Sequence, residues 1–139
     1  MATTLDLEVM NGVDQGKRVR LSPTGSMILG RSTKGFHVQD QLVNVRHAEI
    51  AWVTDRYWVT DLGSVTGTWV SGERLGPNQP RVIAVGDSIR VGETEFLVRE
   101  RVTFSLEALV RGIVGVTIAA AIAAAVYKIA STPVVYEPK

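Results

Sequence analysis

From Leu5 to about Arg101, apolar and polar residues alternate in short bursts. "LDLEVM" and "KRVRL" have the period of two that half-buried strands show. "NGVDQG" between them supplies turn residues that tolerate positive φ. "SMILG", "HAEIAWV", "RYWVTDL", "GTWV", "RVIAV", "DSIRV" and "TEFLVRE" follow, each set off by Gly, Asp, Pro or Ser. Thr54–Arg56 and Val91–Thr94 read as hairpin turns. Strands this short, with no helical period between them, predict an all-β sandwich. Trp52, Trp58 and Trp69 are expected in the core or on a sheet face.

The pattern changes after Arg101. "SLEALVRGIVGVTIAAAIAAAVYKIASTP" contains no turn residues except Gly112 and Gly115. Ser105 fits an N-cap, Glu107 faces the positive end of a helix dipole, and Pro133 would stop the helix. Leu106, Val110, Val114, Ile118, Ile122 and Val126 step by four. The organisation is therefore a β domain over 1–103, a single C-terminal helix over 104–131 and a short tail over 132–139. Gly112 to Tyr127 rises about 24 Å, against a bilayer core of roughly 30 Å. Ala108–Val110 and Ile129–Ala130 lengthen the apolar stretch, while Arg111 and Lys128 can snorkel. Six Ile and Val at about −0.5 kcal/mol each give about −3 kcal/mol for insertion. The expectation is a membrane span through 108–130, the alternative a helix buried in a partner assembly. Arg99, Arg101 and Arg111 precede the span, so the β domain is expected in the cytoplasm of a single-pass membrane protein. Alanines spaced by four let helices approach closely, so a homo-oligomer is a further expectation.

Composition narrows the function classes. A net charge of +1 over 139 residues lacks the basic excess of a nucleic-acid binder, so no nucleic-acid partner is expected. The absence of cysteine removes disulfides, thiolate metal sites and a Cys nucleophile. Two histidines, His37 and His47, are too few for most zinc sites, so no metal and no cofactor are expected. "MATTLDLEV" lacks a basic start followed by an apolar run, so no signal peptide is expected. "GRSTKG" is not the phosphate-cradling P-loop pattern. Asp40, Asp55, Asp61 and Asp87 fall at strand ends, where turn chemistry accounts for them. With no Ser/His/acid arrangement visible, no catalytic residue and no enzyme activity are expected.

Four features occur in order: Gly30–Arg31 after a strand, "NVRHAEI" from Asn44, "DLGSVTGTWVSG" from Asp61 to Gly72, and "VGDSIRVG" near the end. With these the chain resembles the forkhead-associated (FHA) domain over about Leu5 to Arg101. The resemblance implies a β-sandwich of about 11 short strands whose loops at one end bind phosphothreonine peptides. It implies that Arg31 is a charge-assisted donor to phosphate, a task suited to a bidentate guanidinium. Asn44 stands where the family has a serine donor, and Val45 where it usually has a basic residue. Gly30, His47, Gly63 and Gly67 match positions that shape or brace the loops. Ser64 and Thr68 also match. Val65 and Thr66 replace residues that hold the phosphate and grip the peptide backbone, and Ser71 replaces a loop-pinning Asn.

The implied function is a protein-interaction module, anchored in a membrane, that recruits or scaffolds partners through Arg31, Asn44, Ser64 and Thr66. Phosphothreonine recognition in it would be weakened or absent. One alternative is a signalling adaptor that binds phosphothreonine peptides. Another is a structural ring or oligomer subunit of a membrane-embedded assembly. The layout resembles inner-membrane ring proteins of type III secretion systems, without their large extracytoplasmic part.

Overall fold

Leu5, Leu7 and Val9 are buried while Asp6 and Glu8 between them are half-buried, so strand β1 (Leu5–Val9) turns one face inward. The same period of two shapes β6 (Arg56–Asp61), with Tyr57, Val59 and Asp61 buried, and β11 (Thr94–Glu100), with Thr94, Phe96 and Val98 buried. The remaining strands are β2 (Arg18–Arg20), β3 (Ser26–Gly30), β4 (Phe36–His37), β5 (Ala48–Val53), β7 (Thr68–Val70), β8 (Glu73–Arg74), β9 (Pro80–Ile83) and β10 (Ser88–Val91). The computed structural model describes residues 4–102 and a helix at 106–130, without the helix side chains at 106–109, 113–114, 116–118 and 128–130.

The strands form a six-stranded sheet, β2-β1-β11-β10-β7-β8, and a five-stranded sheet, β4-β3-β5-β6-β9. Every pairing is antiparallel except that of β3 with β4. The inward faces meet in one core, built from Leu7, Ile89, Phe96 and Val98 on one side and Leu29, Ile50, Val59 and Ile83 on the other. Phe36 sets its ring edge-on to Phe96 at 5.7 Å between centroids. Burying each large apolar side chain contributes roughly 1.5–3 kcal/mol. The all-β sandwich of eleven strands is thus the observed fold.

The tryptophans lie on sheet faces and edges. Trp52 packs edge-on to Tyr57, Trp58 donates its indole N–H to the Val53 carbonyl, and Trp69 lies 4.6 Å beneath the Arg90 guanidinium.

Gly30 pairs with His37, Leu29 with Ala48 and Ala48 with Asp61 at one end of the five-stranded sheet. Thr68, Val91 and Thr94 mark the same end of the other sheet, since Asp61 accepts a hydrogen bond from Thr68. The segments 31–35, 38–47 and 62–67 emerge there. At the opposite end Leu5 pairs with Glu100, and the Arg101 amide donates to the Thr4 carbonyl.

The chain divides into two units, one ending at Arg101 and one starting at Val102. The second contains helix α1 (Leu106–Ala130), 25 residues long. The transmembrane reading of this helix is not supported: among the described residues, no helix is long and apolar enough to cross a membrane. Among the described residues of α1, Val110, Ile122, Val126 and Tyr127 are the large apolar or aromatic ones, set among six alanines, Gly112 and Gly115, which add little to transfer into lipid, and Arg111, which opposes it. Of the bulky residues on which the sequence expectation leaned, the side chains of Leu106, Val114 and Ile118 lie outside the described ones. So do the expected cap Ser105, the anchor Lys128, the stop Pro133 and the tail over 132–139.

Candidate functional site

Two loops meet at one buried imidazole. The Asn44 amide donates to His47 Nδ1 at 3.1 Å, so Nδ1 is the unprotonated nitrogen. His47 Nε2 therefore carries the proton and donates it to the Gly67 carbonyl at 2.8 Å. His47 is fully buried, and its own amide and carbonyl bond to Leu29 and Leu62. One side chain thus fastens the loop before β5 to the loop before β7. Gly67 has a φ of +81°, a conformation that favours glycine, and a Cβ there would push the exposed Arg74 side chain aside.

Gly30 is required for a different reason. A Cβ on it would fall 2.2 Å from the Val45 carbonyl oxygen. The bare backbone lets segment 43–45 lie against the end of β3, where the Arg31 amide donates to Asn44 O and the Ser32 amide to Val45 O. This close approach positions Arg31. Its Nε–H donates to the Val43 carbonyl at 2.6 Å, which fixes the guanidinium plane. Among the described residues neither Nη has a partner, so a two-donor edge is left for a ligand.

Asp61 organises the second wall. One carboxylate oxygen accepts the amides of Gly63 and Ser64, both at 3.0 Å. The other accepts the hydroxyls of Ser64 and Thr68. Burial pushes the Asp61 carboxyl up, but these bonds outweigh it and hold it below the ordinary value. Asp40 plays the corresponding part for the first wall. It accepts from the amides of Leu42 and Glu93 and from the Thr94 hydroxyl, clamping the loop before β5 to the β10–β11 turn. Its carboxyl is also lowered, again with hydrogen bonds outweighing burial.

Between the walls lies an open groove of about 620 Å³. Of the four expected binding residues, Arg31, Asn44 and Thr66 line it, and Ser64 does not. The Ser64 hydroxyl proton is committed to Asp61, and that of Thr66 to the Leu42 carbonyl at 3.0 Å. Asn44 Oδ1 accepts the Val65 amide at 3.2 Å, which turns its Nδ2 donors away from that bond. Gly63 and His47 stand behind the groove as supports. Leu42, Val45 and Val65 are exposed on its rim, and Arg46 adds a second cation.

The sequence analysis gave Leu42 no role and treated Asp40 and Asp61 as turn residues only. The spacing of Asp61 to Ser64, an acceptor three residues before a hydroxyl, carries a signal for the Asp61 turn. For Asp40 only the turn bond to Leu42 is local; the partners that make it a clamp are 53 and 54 residues away and leave no signal in the sequence.

A model of the FHA domain matches residues 27–92. The FHA domain-containing protein FhaA of Mycobacterium tuberculosis is 35% identical over 98 residues, covering 70% of this chain and 18% of that protein. The oxoglutarate dehydrogenase inhibitor of Corynebacterium jeikeium is 32% identical over 87 residues, covering 63% of this chain and 58% of the relative. This chain therefore spans less than two thirds of either. A solved FHA domain from a study of phosphothreonine-dependent interactions superposes with a TM-score of 0.63 at 33% identity, covering 73% of this chain and all of that one. The FhaA FHA domain complexed with the intracellular domain of Rv3910 superposes at 0.60 with 34% identity, covering 68% of this chain and 99% of that one.

Proposed function

This chain belongs to the FHA domain family, and from that premise we propose that it docks an extended segment of a partner protein in its groove, with an anionic group of the segment held by Arg31. The FHA domain is a protein-interaction fold rather than an enzyme. The observation that carries the reading is the Arg31 guanidinium, fixed through Nε and presenting both Nη groups to a groove with no acidic lining residue. A guanidinium edge of this kind bonds carboxylate or phosphate oxygens bidentately and keeps its charge at any physiological pH.

A phosphothreonine-dependent signalling adaptor is the second reading. The similarity to a domain studied for phosphothreonine-dependent interactions, and to FhaA, favours it. The inhibitor function named for the Corynebacterium relative carries over only as the idea that such a groove can serve to restrain a partner enzyme. Capture on the full chain from a peptide library containing phosphothreonine and acidic members tests the proposal. Binding is expected in wild type and lost in Arg31→Gln. Equal capture by both proteins would end it.

A further inference from the structure

The groove offers fewer donors than its shape suggests. A phosphothreonine brings nearly two negative charges and three acceptor oxygens, and must give up a large hydration shell to bind. Of the groups able to meet it, the Ser64 hydroxyl proton goes to Asp61 and the Thr66 hydroxyl proton to Leu42 O. The Val65 amide goes to Asn44 Oδ1. Of the side chains that hydrogen bonds hold in place, Arg31 Nη and Asn44 Nδ2 remain, while Arg46 and Gln41 stand exposed on the same lining with no such brace among the described residues. The braced pair suits a carboxylate, which has one charge and two oxygens that a guanidinium edge meets side by side.

The rim points the same way. Leu42, Val45 and Val65 are 48%, 56% and 82% exposed, so three aliphatic side chains surround the cation. Apolar neighbours strengthen a matched single ion pair and leave a second, unmet charge more costly to desolvate. They also offer contact area to aliphatic side chains of a docked segment. Arg46, on the same wall, adds attraction for acidic residues nearby in that segment.

Resting on the docking reading above, we propose that the anion is the carboxylate of an unphosphorylated aspartate or glutamate, flanked by aliphatic residues in the partner segment. Recognition then depends on the partner's sequence and not on a kinase.

The test uses the full chain and synthetic nonapeptides with a central Glu, Asp, Gln or phosphothreonine, flanked by Leu and Val or by Ser, titrated by fluorescence anisotropy. Glu and Asp peptides with aliphatic flanks are expected to bind. Gln in the centre weakens binding by roughly 10-fold to 100-fold, as does Arg31→Gln, with Arg31→Lys between them. Ser flanks weaken it by roughly 10-fold. The double variant Val45→Arg, Val65→Thr, which returns a cation and a hydroxyl to the rim, moves the preference to phosphothreonine. Thermal melting confirms that each variant is folded. If the wild type binds phosphothreonine peptides more tightly than Glu peptides, the carboxylate proposal fails while anion docking stands. If Gln peptides bind as well as Glu peptides and Arg31→Gln changes nothing, both fail together.

Discussion

Asp61 is buried, charged and bonded to four donors on the loop that follows it. Its depressed folded value fixes the sign of a pH effect. Below the unfolded value, about 3.9, the unfolded chain takes up protons that the folded chain refuses. The stabilisation is therefore complete above that pH and is lost as pH falls through the lower folded value. Asp40 acts in the same direction. Urea midpoints are expected to be flat at neutral pH and to drop below about pH 4. Asp61→Asn, which keeps the shape but faces two hydroxyl and two amide donors with a donor of its own, is expected to cost about 2–3 kcal/mol at pH 7. Its acid loss should be shallower than that of the wild type. A midpoint at pH 7 equal to wild type would show that the carboxylate does not hold this loop.

At the scale of elements, the β5–β6 hairpin carries a local cost. Thr54 and Asp55 form its two-residue turn with φ of 50° and 60°. A β-branched residue seldom adopts that conformation, and turns of this kind favour Asn-Gly. Thr54→Asn with Asp55→Gly is expected to raise stability by about 1 kcal/mol, read as a higher urea midpoint with unchanged slope. An unchanged or lower midpoint would mean that neighbours impose the turn regardless of its residues. This hairpin was legible in the sequence because a strong alternating run lies on each side of it. Strands β4 and β8 were not, since two residues such as Phe36–His37 or Glu73–Arg74 show no period. Their existence depends on register with β3 and β7. Helix α1 was legible from its long turn-free run. The transmembrane role read into it was not supported, because length and composition predict a helix more surely than they predict its solvent.

At the scale of the whole molecule, the groove is assembled from distant parts of the chain. Arg31, Asn44 and Thr66 were legible as a set only through the spacing of the motifs around them. The aliphatic rim and the Asp40 clamp became visible only in three dimensions, because each depends on residues far apart in sequence. The clamp ties the β10–β11 turn to the loop that lines the groove, although the turn itself lines none of it. Inserting two residues between Gly92 and Glu93 displaces the partners of Asp40. This is expected to weaken peptide binding roughly 10-fold through a looser 40–43 loop while the sandwich still melts cooperatively. Unaltered affinity would show that the loop holds its place without the clamp.

Both ends of the sandwich's chain leave it beside Leu5 and Glu100, a strand's length of about 20 Å from the groove mouth. The points where the chain enters and leaves the sandwich therefore lie at the end away from the loops that carry Arg31, Asn44 and Thr66.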